Sequence, residues 1–146
     1  MQRETKQREA IRLVFERHEA PLLPAEVLRL ARRRARSLSL ATVYRTLNAL
    51  AREKVLRLVA LPGEAPRYEL AGKRHHHHFV CRRCRKVFEV HACAGSIRRM
   101  VPKGFVMDGH EITLYGACWG CLTQNSRRKT TTANSKLAGA GWHFAK

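Results

Sequence analysis

The residues with the clearest chemistry lie between Arg67 and Cys84, in "RYELAGKRHHHHFVCRRC". Four adjacent histidines, His75 to His78, precede Cys81 and Cys84, and a second spaced pair, Cys118 and Cys121, follows in "CWGC". Two CxxC pairs supply four thiolates, enough to close a tetrahedral zinc site with Zn–S bonds of about 2.3 Å. The stretch between the pairs is longer than in a simple zinc ribbon, so strands must fill it. Arg82, Arg83, Arg85 and Lys86 flank the first pair and can offset the negative charge of a tetrathiolate centre. Cys93 is left over, and its expected role is that of a small packed hydrophobe.

The histidine run is internal and leads into "FVC", which reads as a strand and not as a purification tag. Alternation along a strand sends His76 and His78 to one face and His75 and His77 to the other. Each pair can give two imidazoles to a separate metal. Carboxylates that can complete such sites are Glu69, just before the run, and Glu89, on the next expected strand. His110 is followed by Glu111. Mixed nitrogen and oxygen donors suit Fe(II), Mn(II), Zn(II) or Ni(II).

The elements that must position these groups fall into two units. In residues 1–71, Arg3 to His18 carries Ile11, Val14, Phe15 and His18 on one helical stripe. Pro21 and Pro24 break that helix, and Pro24 fits the first turn of a second, with Val27, Leu28 and Ala31 inward. A third helix is expected over "SLSLATVYRTLNALAREK", capped by Ser39. Leu40, Val43, Leu47 and Leu50 form its expected buried stripe, with Ala41, Arg45, Asn48 and Arg52 opposite. "VLRLVAL" and "PRYEL" then flank the turn "PGEA" as a hairpin. Three helices and a hairpin in this order make a winged helix-turn-helix, which places one helix in the major groove.

Residues 72–125 read as a small α/β unit. "KVFEVHA", "GFVMDG" and "EITLYGA" have strand character, and "CAGSIRRM" is a short helical insert. Residues 126–146 are polar and basic and are expected to be a disordered tail. The fold class is therefore α+β.

Lys and Arg total 29 against 11 Asp and Glu, a formal net charge of +18. Such a chain attracts polyanions, nucleic acid first and an anionic membrane surface second. Arg45 is placed to reach bases and Tyr44 to touch a thymine methyl or a phosphate. Arg52, Lys54, Arg57 and the Arg32–Arg34 run suit phosphates, and Arg127, Arg128 and Lys129 could add to them. No apolar run approaches the ~18 residues of a membrane span, and the amino terminus lacks the apolar core of a signal peptide. The expected location is cytoplasmic, where thiols stay reduced and paired cysteines point to metal. HExxH, GxSxG and a glycine-rich phosphate loop are all absent from the sequence, which argues against an enzyme. The rivals to a DNA-binding regulator are a metallohydrolase using Glu111 as base and a metal-storage or chaperone protein.

"SLSLATVYRTLNAL", "RYEL", "HHHHFVCRRCRKVFE", "GF" and "GHEITLYGACWGC" together resemble the ferric uptake regulator family of metal-dependent bacterial repressors. The segments run in family order as far as Cys121. The resemblance implies a winged-helix domain followed by a dimerisation domain with structural Zn(2+) on Cys81, Cys84, Cys118 and Cys121. It implies a regulatory divalent metal at the hinge, on Glu69, His76, His78 and Glu89, and a second on His75, His77 and His110. Residues matching Tyr44 and Arg45 contact DNA in the family, and Thr42, Asn48 and Arg52 complete the expected DNA-binding set. The implied partners are a second copy of the chain and a palindromic operator, with no membrane and no small-molecule substrate.

Three positions depart from the family pattern. Pro21 stands where many members carry a histidine ligand, so the ligand set is four, or Glu26 or a water substitutes. Arg85 stands where glycine is usual after the second cysteine, a place of positive φ. Ser96 stands near a carboxylate that completes the second regulatory site in the family. Fe(2+) or Mn(2+) is the expected signal. "ELAGKR" lacks the cysteine that zinc sensors place before the histidines, and Glu89 stands where peroxide sensors tend to carry Asp. Zinc or peroxide sensing is the alternative.

Overall fold

The computed structural model describes residues 2–123, so the tail expected at 126–146, with Arg127, Arg128 and Lys129, lies outside the described residues. The first unit consists of α1 (Gln2–Glu16), α2 (Pro24–Ala31), α3 (Leu40–Arg52), β1 (Leu56–Val59) and β2 (Arg67–Leu70). Apolar side chains at three- and four-residue spacing put one face of each helix inward. Ile11, Val14 and Phe15 of α1 meet Val27 and Ala31 of α2 and Val43, Leu47 and Leu50 of α3 in one buried cluster. Leu40 is a correction: it is 41% exposed. It is the first residue of α3, and the buried stripe starts one turn later, at Val43.

Local chemistry sets the helix ends. Glu26 accepts the Leu23 N–H at 2.8 Å at the start of α2, and Ser39 Oγ accepts the Thr42 N–H at 3.1 Å at the start of α3. At the end of α3, Lys54 N–H donates to Ala51 O at 3.0 Å and Val55 N–H to Leu50 O at 2.9 Å. These are the paired bonds of a Schellman stop. Lys54 takes the left-handed position there, with φ 59°.

β1 and β2 pair antiparallel, with Arg57 opposite Glu69, and Leu22 adds a bridge to Tyr68. In the second unit, β3 (His77–Cys81) lies between β4 (Val87–Val90) and β5 (Thr113–Gly116). β3 pairs antiparallel with β4, placing His78 opposite Glu89, and parallel with β5. A parallel neighbour needs a crossover. Residues 91–112 supply it, with one 3-10 turn at Gly95–Met100. Gly116 lets β5 approach: a Cβ there would lie 2.9 Å from the Phe79 ring. "GFVMDG" forms no strand, contrary to its pattern. Gly104 turns the chain at φ 88°, and Phe105 and Val106 are 71% and 89% exposed. The pairing with β3 does not begin until Thr113, so these residues lie outside the sheet.

The two units touch through the wing. Val59 and Leu61 pack with Val80 and Val87 in a small second apolar cluster. Buried Arg67 donates to Pro21 O at 3.3 Å, to Glu26 at 3.1 Å and to Arg85 O at 2.8 Å. Arg85 has φ 61°, the left-handed conformation expected where glycine is missing, and its guanidinium pairs with Glu64 at 2.8 Å.

Candidate metal centres and nucleic-acid surface

The turn after β3 carries Cys84, and the helical turn after β5 carries Cys121, so the parallel pairing of these strands brings both cysteine pairs to one end of the sheet. Cys81 Sγ and Cys121 Sγ are 3.8 Å apart, Cys84 Sγ and Cys118 Sγ 3.7 Å, and all four sulfurs lie within 4.8 Å of one another. A tetrahedron with bonds of about 2.3 Å has edges of about 3.8 Å, so the spacing fits zinc. Backbone N–H groups of Cys84 and Cys118 stabilise the Cys81 thiolate and bring its pKa down to about 6. Burial and the surrounding thiols push Cys121 up.

The even-numbered histidines face the wing. Glu69, on β2, gathers with His76 and His78 so that one donor atom from each lies within 4.8 Å of the others. His76 Nε2 is 3.3 Å and His78 Nε2 3.8 Å from Glu69 Oε2. His78 Nε2 is buried without a hydrogen-bond partner, a costly arrangement unless a further group engages it. Glu89 Oε1 stands 3.9 Å from His76 Nε2 and groups more tightly with Glu19 and His91. Two cations share this space. Arg57 donates to Glu69 at 2.5 Å and contacts His76 Nε2 at 3.2 Å. Lys73 pairs with Glu89, bonds the Glu19 carbonyl and reaches Glu69 at 3.5 Å. Burial alone would raise the Glu69 pKa, but His78, Arg57 and Lys73 outweigh it and hold it at about 2.

The odd-numbered histidines face the other way. His75 Nε2 is 3.2 Å from both His77 Nε2 and His110 Nε2. Burial, then the neighbouring His75 and His110, push the His77 pKa down, which keeps its ring neutral. Cys93 is exposed, and its sulfur lies 3.1 Å from His110 Nε2. The packed-hydrophobe expectation for Cys93 is therefore wrong, because the segment after β4 runs over the surface and brings it to the histidines. Ser96, the next polar side chain in that segment, offers no carboxylate.

On α3, Tyr44, Arg45, Asn48 and Arg52 are exposed and Thr42 half-buried. Arg45 donates to Thr42 Oγ1 at 3.4 Å, and Asn48 Oδ1 accepts the Tyr68 hydroxyl at 3.0 Å, tying the helix to the wing. Arg32 is exposed but bonds Leu38 O at 3.0 Å. Arg57, expected on phosphate, is turned toward Glu69 instead. Glu26, offered as a substitute for a histidine at Pro21, is bound to Arg67 and Leu23 and does not join the hinge cluster.

Three groups at these sites escaped the sequence reading. Lys73 lies four residues after Glu69, and Arg57 is the cross-strand partner of Glu69 in the hairpin register, so both carried a local signal. Cys93 carried none, since its approach to His110 is a matter of tertiary structure.

The model of the ferric uptake regulator family matches residues 2–115. The ferric uptake regulation protein of Campylobacter jejuni is 34% identical over 96 residues, 64% of this chain and 61% of that protein. The matched part likewise covers 56% to 57% of three further curated relatives. The ferric uptake regulation protein of Bacillus subtilis is 33% identical over 124 residues, 80% of this chain and 83% of its own. Among solved structures, the ferric uptake regulator of Helicobacter pylori, described as revealing three functional metal binding sites, aligns with a TM-score of 0.65 and 28% identity. That alignment covers 80% of each chain.

Proposed function

The chain belongs to the ferric uptake regulator family, and from that membership we propose that it is a metal-responsive, DNA-binding transcriptional repressor acting as a homodimer. One observation carries the reading: Glu69 of the wing and His76 and His78 of the second unit converge on one point across the hinge. A divalent cation there would supply positive charge and a demand for fixed donor geometry that ligands from both units must meet together. Glu69 moves with the DNA-binding unit, whereas His76 and His78 move with the sheet. Drawing these side chains together fixes the angle between the units. Glu89 joins them when it exchanges Lys73 for the shared site. The unpartnered ring nitrogen of His78 and the set of hard oxygen donors fit such a cation, and the carboxylates favour Fe(2+) or Mn(2+) over softer metals.

A dimer then presents two copies of α3 at the spacing of palindromic half-sites, roughly 34–36 Å. Support for the dimer comes from apolar side chains exposed on the second unit: Phe88, Met100, Phe105, Val106, Leu114 and Trp119. Arg45 reads bases and Tyr44 touches a thymine methyl or phosphate, while Thr42, Asn48 and Arg52 flank them. The four thiolates hold structural Zn(2+) that keeps the end of the sheet in place. No helix of the described residues is long and apolar enough to cross a membrane, in keeping with a regulator that works on DNA in the cytoplasm. Sensing of zinc or peroxide is the second reading within the family.

The test is DNA binding by the doubly substituted protein His76→Ala, His78→Ala, with its thiolate zinc retained, on its own promoter region. The parent should bind about 100-fold tighter with Fe(2+) or Mn(2+) than without, equivalent to about 2.7 kcal/mol. The variant should show no metal response. A variant as tight as the parent at every metal level overturns the proposal.

A further inference from the structure

We propose that Cys93 completes the second histidine set as a fourth ligand, making a His75–His77–Cys93–His110 centre of zinc type, separate in metal preference from the hinge. The inference rests on reading the second histidine set as a metal site. One donor atom from each of the four residues lies within 4.8 Å of all the others. The chain order makes chance convergence costly. His75 precedes β3, His77 opens it, Cys93 lies beyond β4, and His110 comes just before β5. Four donors from three separate segments meet at one end of the sheet, where β3 and β5 begin and β4 finishes.

The donor chemistry decides the metal. Three imidazoles and one thiolate make a closed four-coordinate set, which suits tetrahedral Zn(II). Sulfur disfavours Mn(II) and Fe(II) relative to zinc, whereas the carboxylates of the hinge suit those harder ions. His77 Nδ1 accepts the Ile112 N–H at 3.2 Å. A neutral ring holds one proton, so that contact must loosen if Nε2 is to present its lone pair. Cys93 thus takes the place that a carboxylate would otherwise fill, and Ser96 is not needed.

The experiment uses full-length protein with zinc retained on the four paired cysteines, titrated with Co(II). The parent should develop a thiolate-to-cobalt charge-transfer band. Cys93→Ala should lack the band, and Cys93→Asp should still bind cobalt at this site but without the band. His76→Ala should keep the band while losing metal-dependent DNA binding, so a failure of the hinge reading would be recorded separately. In parallel, Zn(II) should slow alkylation of Cys93 by iodoacetamide in the parent by roughly tenfold or more, as expected when a thiolate is metal-bound. A band that persists in Cys93→Ala, no band in the parent, or alkylation of Cys93 at one rate with and without zinc overturns the inference.

Discussion

From Ala10 to Tyr68 the chain buries a continuous apolar cluster drawn from all three helices and the wing. Beyond Ala71 the buried hydrophobics among the described residues are Val80, Cys81 and Val87, while His76, His77 and His78 are buried beside them. The first unit can hold its shape by apolar burial, which favours folding by about 25 cal/mol per Å² removed from water. The second has too little core for that and instead gathers thiolates, imidazoles and carboxylates. Metal coordination can supply folding free energy outright in small units of this kind. Under the proposed function the difference would separate two jobs, a self-sufficient unit that reads DNA and a ligand-dependent unit that reports on whether metal is present.

The sharpest way to break this contrast is Cys81→Ser. The second unit should lose its fold, read as vanished amide dispersion for residues beyond Ala71, while the helical signal of α1–α3 persists. Loss of both units together would mean that they share one core. The converse change, Leu47→Ala, opens a cavity among Val43, Phe15 and Leu50. It should cost the first unit about 2–5 kcal/mol in urea denaturation and leave bound zinc unchanged. A smaller effect should appear at the hinge between them. Glu69 has a folded pKa of about 2 against an ordinary 4.5. A lowered acid contributes stability that is complete above about pH 4.5 and fades as pH falls toward 2. The urea midpoint difference between the parent and Glu69→Gln should therefore shrink across that window, the more so as acid strips zinc from the thiolates, because His78 and Lys73 belong to the unit that the zinc holds. The smallest change sharpens the picture of the first unit alone. Lys54→Gly relieves a left-handed residue at the end of α3 and should stabilise it by about 1 kcal/mol, seen as a raised melting temperature without a change in metal response.

Much of this was legible in residue order. Ile11, Val14 and Phe15 on α1, the stripe of α2 and Ser39 as a cap follow from helical spacing and local hydrogen bonding, whereas His18 falls beyond α1, which ends at Glu16. The split of the histidine row follows from the two-residue period of a strand. The left-handed Arg85 followed from comparing its position with a family pattern. Leu40 and "GFVMDG" misled because an apolar pattern shows what a segment could bury and does not show whether a partner is there to cover it.

The sequence by itself determined which donors exist and which neighbours share a face, because those depend on backbone periods of a few residues. It could not determine which distant donors meet. Glu89 held by Lys73 and Cys93 carried to His110 both depend on how β4 and the segment between β4 and β5 lie against β3. Such contacts are set by chain closure and packing over tens of residues, and no local pattern encodes them.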